Sequence, residues 1–101
     1  RDDAFTLNVG FLKDKQGEII DTTPYIFFGD EQIEVANSSN RLRQEAQFYQ
    51  TIGTPLEDVT VEIRADREVQ SGLVQTLIQK CQEEGIEFQR FALKATQKVS
   101  P

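Results

Sequence analysis

The side chains of this sequence that are best suited to chemistry form one charged cluster, Arg64-Ala65-Asp66-Arg67-Glu68. Carboxylates beside a guanidinium occur in acid–base sites, because a neighbouring cation favours the charged form of the acid. This cluster directly follows an alternating apolar run, which places it at the corner where a strand ends. We therefore favour a structural interpretation, in which Asp66 caps or braces the turn and Arg64 pairs across the sheet. No residue is predicted to be catalytic.

The other titratable residues do not form a catalytic or metal-binding motif. The chain has no histidine, the commonest metal ligand and general base, and we predict neither a metal site nor a cofactor. The single cysteine, Cys81, lies on an apolar stripe and is predicted to be a buried thiol. An exposed Cys81 would instead permit an intermolecular disulfide in an oxidising compartment. The acidic group Glu83, Glu84 and Glu87 is typical of a solvated face.

Composition and length limit the class of protein. The chain has 11 basic and 17 acidic residues and a net charge of −6. Because the basic residues are dispersed, the sequence offers no positive stripe for phosphates, and we predict no nucleic-acid partner. The longest apolar run, Tyr25 to Phe28, is far shorter than the roughly 20 residues that span a bilayer. The length predicts one domain, residues 1–101, with an ordered core of about 4–94 and a frayed tail or linker from Lys94 to Pro101.

The clearest structural pattern lies between Val59 and Gly85. Apolar and polar residues alternate from Val59 to Asp66, which predicts a half-buried strand. The apolar spacing then changes to that of a helix, which we predict from about Gly72 to Glu84, with Ser71 as its N-cap and Gly85 ending it. Its apolar stripe consists of Leu73, Val74, Leu77, Ile78 and Cys81.

The N-terminal half predicts strands followed by a helix. Alternation from Phe5 to Phe11 indicates a first strand, and a second should begin near Glu18 after a turn. Residues 25–35 offer either a continuation of that strand past Pro24 or a separate short hairpin around Gly29, and we favour two short strands. The first helix should lie between the capping residues 37–40 and Gly53. Its buried stripe consists of Leu42, Ala46 and Tyr49.

The last strand is predicted from Phe88 to Leu93. Phe88 and Phe91 cannot share one face of a regular strand, so we predict a bulge near Gln89 and Arg90. Together the elements predict an α+β fold of order β-β(-β)-α-β-α-β. It has two layers, a small mixed sheet with both helices on one face.

The unit from residue 59 to residue 85 resembles the signature of the ExbD/TolR family of biopolymer transport proteins. The residues that match the family pattern in order are Ile63, Arg64, Ala65, Asp66, Val69, Gly72, Val74 and Gly85. Ser71 stands where an aromatic residue is commoner in the family. Upstream, Lys15–Ile20 and Tyr25–Ile33 are similar to an elongated form of the family's opening hairpin, so the resemblance extends over roughly Phe5 to Leu93.

The resemblance implies a non-enzymatic periplasmic domain of an accessory subunit in a proton-motive-force-driven envelope complex. It implies an inner-membrane protein with a single N-terminal membrane helix upstream of these residues. That helix would carry the proton-coupling aspartate and contact an ExbB/TolQ-like channel subunit. The domain itself would dock a TonB-like transducer or peptidoglycan and form a homodimer. The family pattern leaves the choice between an ExbD-like and a TolR-like role open.

Docking would use an exposed strand, which can add a partner strand through main-chain hydrogen bonds. The candidate edge residues are Tyr25, Phe27, Phe88, Arg90, Phe91 and Leu93, and core packing is the alternative for the aromatic ones. A second hypothesis is a small-molecule-sensing regulatory domain, with a pocket lined by Tyr25, Phe27 or Tyr49. A third is a domain of a larger enzyme whose catalytic residues lie outside these 101.

Overall fold

A computed structural model of the chain describes residues 3–95. Five strands and two α-helices follow one another along these residues. They are β1 (Asp3–Gly10), β2 (Tyr25–Phe28), β3 (Glu31–Glu34), α1 (Ser39–Thr51), β4 (Val59–Ala65), α2 (Ser71–Cys81) and β5 (Arg90–Ala95). Short 3-10 turns precede α1 and β4. The frayed tail predicted from Lys94 to Pro101 is wrong for Lys94 and Ala95, which belong to β5 and pair with β4. The rest of the predicted tail, residues 96–101, lies outside the described residues.

The strands form one mixed sheet in the order β3-β2-β1-β4-β5. The β2–β3 hairpin and the β1–β2 pair are antiparallel, whereas β4 lies parallel to both β1 and β5. The two short strands predicted around Gly29 are therefore confirmed. The predicted α+β class and mixed sheet are confirmed as well. Among the described strands, β3 and β5 form the two edges of the sheet.

The core lies between the helices and one face of the sheet. Alternate residues of β1 and β4 point towards the helices and are almost completely buried, as their period-2 pattern predicts. The buried stripes of both helices pack against them, and these include Leu42, Ala46 and Tyr49 of α1 as predicted. Cys81 of α2 is 0% exposed, which confirms the buried thiol. The opposite sheet face, called the open face below, carries residues such as Thr60, Glu62 and Arg64.

The segment between β1 and β2 differs from the prediction. No strand begins near Glu18, and a single bridge joins Lys13 to Ile19. The Oδ1 atom of Asp14 accepts hydrogen bonds from the backbone N–H groups of Gln16 and Glu18. A carboxylate that satisfies these donors stabilises a turn in place of a ladder. The segment is therefore a structured loop on the sheet end where β1 and β4 finish.

The second helix begins at Ser71 and ends at Cys81, three residues earlier than predicted. Gln70 is its N-cap and no side chain caps the first turn, so the N-cap assigned to Ser71 is wrong. The early end lets the chain reverse and bury Ile86, which is 0% exposed. The reversal uses Gly85, whose φ is +87°, in a turn beyond the helix end.

The positive φ of Gly85 gives a prediction of stability. An alanine there would adopt a left-handed backbone, and its Cβ would lie 3.3 Å from Nε of Arg43. We expect Gly85→Ala to lower the free energy of unfolding by about 1–2 kcal/mol, measured by urea denaturation. Gly72→Ala is the matched control, because its Cβ meets open space inside α2. It should raise stability by about 0.5–1 kcal/mol; equal effects of the two changes would contradict the assigned turn.

Candidate functional site

The charged corner after β4, residues 66–68, contacts the loop that follows β1. The backbone N–H of Asp66 donates to the carbonyl of Val9 at 3.0 Å, and the N–H of Val69 donates to the carbonyl of Asp66 at 2.9 Å. Nζ of Lys13 lies 3.6 Å from Oδ2 of Asp66 and 3.2 Å from Oε1 of Glu68. The corner therefore joins the ends of β1 and β4, and Val69 packs against the core beneath it.

Electrostatics at the corner follow from these contacts. The hydrogen bond to Glu68 raises the pKa of Lys13, and nearby Asp66 adds to that rise. The pKa of Glu68 is lowered, first by its own backbone N–H and then by Lys13. Both shifts favour the charged forms. Lys13 therefore remains an ammonium and Glu68 a carboxylate near neutral pH, where neither group readily gains or loses a proton.

Sequence patterns alone do not identify Lys13 as the cation at this corner. A useful signal is Gly10, since a glycine at the end of an apolar strand often marks a close approach of another group. A Cβ at Gly10 would lie 2.5 Å from Oδ2 of Asp66. Arg64, in contrast, lies on the open face beside Asn8 and Lys94 in the register, and the ion pair there joins Lys94 to Glu62 at 3.3 Å.

The contact between Gly10 and Asp66 predicts a coupled effect on stability. Gly10→Ala forces the carboxylate away from Lys13, an ion pair at the surface, so we expect it to lower the free energy of unfolding by about 0.5–1 kcal/mol. Removing the carboxylate with Asp66→Ala makes room for the new methyl group. In that background Gly10→Ala should cost less than half as much, as a double-mutant cycle by thermal denaturation would measure. Additive effects would contradict the close approach.

A cavity of about 410 Å³ lies beside the corner, between the loop after β1 and the start of α2. It is lined by Phe11, Ile19, Thr22, Pro24, Glu68, Gln70 and Leu73. The pocket expected for a small-molecule sensor is different, because Tyr25 and Phe27 lie on the open face and Tyr49 lies in the core. Glu68 is the ionisable residue in this lining, so no acid–base pair faces the cavity within the part of the chain that the structure describes. Among residues 3–95, no group of histidine, cysteine or acidic side chains is placed to hold a metal ion.

Three of the predicted edge residues lie elsewhere. β2 lies between β1 and β3, so Tyr25 and Phe27 do not form an edge. The reason is that Glu31–Glu34 pairs with β2 as the second half of a hairpin. Phe88 precedes β5 and is 1% exposed, since its N–H donates to the carbonyl of Cys81 and holds the ring inside the core. With Phe88 outside the strand, the predicted bulge is not needed.

The other predicted residues, Arg90, Phe91 and Leu93, lie on β5. This strand is paired with β4 on one side, and no other described strand pairs with its second side. Phe91 is half-buried against the core, and Leu93 on the same side of the sheet is 60% exposed. Arg90 and Lys94 lie on the open face. We call this surface, the side of residues 90–95 that faces away from β4 together with the side chains of residues 90–94, the β5 edge.

Comparison with known proteins gives one result. The family described as "Biopolymer transport protein ExbD/TolR" matches residues 3–96, nearly the whole chain. No curated protein and no solved structure matches the chain significantly. Within the part of the chain that the structure describes, no helix is both long and apolar enough to cross a membrane.

Proposed function

Because the chain belongs to the ExbD/TolR family, whose members are accessory subunits of biopolymer transport complexes, we propose that it is a docking domain that binds its partner through the β5 edge. The observation that carries this proposal is that the two edges of the sheet differ in how well they are suited to pairing with another strand. An unpaired strand presents a row of N–H and C=O groups that can accept another strand.

β3, the other edge, is poorly suited to such pairing. It has four residues, and two of them, Glu31 and Glu34, are acidic. Oε2 of Glu31 already accepts a hydrogen bond from Nε of Arg41 at 2.9 Å. Short strands and charged side chains are common means of preventing edge pairing. β5 is longer, lies at the edge of the sheet among the described strands, and has the exposed apolar side chain of Leu93.

The family gives the proposal its biological setting. We propose that the domain lies in the periplasm, that an N-terminal membrane helix anchors it in the inner membrane, and that this helix contacts an ExbB/TolQ-like channel subunit. The β5 edge would then receive a TonB-like transducer or contact peptidoglycan, and the domain would also form a homodimer. Family members are transport accessory proteins and not enzymes, and the ion-paired corner supports the same role for this chain.

A matched pair of variants tests the proposal. Leu93→Asp places a charge on the β5 edge, and Ile52→Asp places the same charge beside α1, where Ile52 is 48% exposed. The probes are a TonB-like periplasmic segment and purified peptidoglycan, and sedimentation over a range of concentrations measures self-association. Leu93→Asp should weaken binding of the probe that docks at the β5 edge about tenfold or more. Ile52→Asp should leave this binding unchanged. A folded chain that binds neither probe and remains monomeric would contradict the docking role.

A further inference from the structure

The β5 edge has two chemically different sides. On the side of the helices it presents Phe91 and Leu93, which are paired with Val61 and Ile63 of β4. On the open face it presents Arg90 and Lys94. Arg64 of β4 stands beside Lys94, and Glu62 is the acidic residue among them. This basic group occurs in a chain whose net charge is −6, so it is a local feature and not a reflection of composition.

An added strand must meet both sides at once, because its side chains alternate between the two faces of the sheet. Residues on its first face would pack beside Phe91 and Leu93. Residues on its second face would lie beside Arg90 and Lys94, where opposite charges stabilise a cross-strand pair and like charges destabilise it. We infer that the β5 edge selects a partner strand in which acidic residues alternate with apolar residues. This inference rests on the proposed function and names the chemistry of the partner.

The ion pair of Lys94 with Glu62 does not prevent this selection. Nζ of Lys94 lies 3.3 Å from Oε1 of Glu62, and the lysine side chain is 53% exposed. Exposed pairs of this kind contribute little stability, so the lysine can turn towards a second carboxylate at small cost.

The same charges disfavour two other occupants. If β5 paired with β5 of a second copy about a two-fold axis at Ala92, Arg90 of one copy would face Lys94 of the other. Directly opposed like charges destabilise such a pair. A strand rich in lysine would meet the same repulsion. β3 of a second copy offers one apolar residue, Ile33, and one acid, Glu34, on alternate faces, but it has four residues and places Glu31 on the same face as Ile33.

Synthetic peptides of about nine residues test the inference on the intact chain. One alternates glutamate with valine, the second alternates lysine with valine, and the third contains the glutamates and valines of the first in two separate blocks. A fourth repeats the first with alternate backbone amides N-methylated. Binding is followed by fluorescence anisotropy, at concentrations where each free peptide is monomeric, and by amide chemical shifts of residues 90–95.

We expect the alternating glutamate peptide to bind about tenfold more tightly than the lysine or block peptide. Its advantage should decrease at high salt. Lys94→Glu should abolish the preference, whereas Lys15→Glu, the same change in the exposed turn after β1, should not. If the glutamate and lysine peptides bound equally and the N-methylated peptide did not bind, the inference would be overturned but docking at β5 would still stand. Peptide binding that leaves the amides of residues 90–95 unshifted would overturn both proposals.

Discussion

Replacing Phe88 by alanine should lower the free energy of unfolding by about 3–5 kcal/mol. The Phe88 ring is 1% exposed, and its centroid lies 5.1 Å from that of Phe5 and 6.4 Å from that of Tyr49. The change removes the ring from a packed aromatic cluster and leaves a cavity between the sheet and α1. Because domains of this size are stable by only about 5–15 kcal/mol, the loss should be evident in urea denaturation followed by circular dichroism.

Leu93→Ala is the matched control for this prediction. Leu93 is 60% exposed on β5, so its truncation should change stability by less than about 0.5 kcal/mol. The two substitutions also distinguish core packing from partner docking, the two roles that the sequence leaves open for Phe88. If Phe88→Ala were as stable as the original chain but lost partner binding, Phe88 would belong to the docking surface and the assigned core would be wrong.

The second large effect concerns pH and Cys81. Burial raises the pKa of this thiol from its ordinary value of 9.0 to about 12. Below about pH 9 the thiol is protonated in both the folded and the unfolded chain, and its contribution to stability is fully present. At higher pH the unfolded chain releases the proton while the folded chain retains it. Stability should therefore fall by about 1.4 kcal/mol per pH unit as the pH rises from about 9 towards 12.

Denaturation with urea at a series of pH values from about 8 to 11 measures this loss, and Cys81→Ala is the control. The alanine variant should show a flatter dependence above about pH 9. Tyr49, whose pKa burial also raises, contributes at still higher pH in both chains and cancels in the comparison. An identical pH dependence in the two chains, or rapid reaction of the native thiol with a thiol reagent at pH 8, would contradict the burial of Cys81.

Local periodicity accounts for the parts of the fold that sequence predicts well. Short stretches of sequence indicate which side of an element is buried. Examples are the alternation in β4 and the buried stripe of α1, Leu42, Ala46 and Tyr49. The ends of elements depend on distant groups and are less accurate. α2 ends early because Ile86 must reach the core, and nothing near Cys81 in the sequence specifies that packing.

The candidate site shows the same division. Arg90, Phe91 and Leu93 lie on an edge strand as predicted, because β5 pairs with β4 and with no other described strand. Tyr25 and Phe27 were equally good edge candidates by composition, yet sheet order places β3 beside them. Sheet order depends on which strands pair across long loops, and single-strand patterns carry no such information. The contact of Lys13 with Asp66 likewise depends on tertiary structure, and Gly10 is the residue whose type indicates it in the sequence.

The most direct test of docking at β5 is hydrogen–deuterium exchange of the chain, alone and saturated with a TonB-like periplasmic segment. An added strand would hydrogen-bond the side of β5 that faces away from β4, so the account predicts slower exchange at backbone amides of Arg90–Ala95 and unchanged exchange in β3. Slower exchange beside the cavity at Phe11 and Leu73, with β5 unchanged, would show that the partner binds elsewhere and would contradict the account.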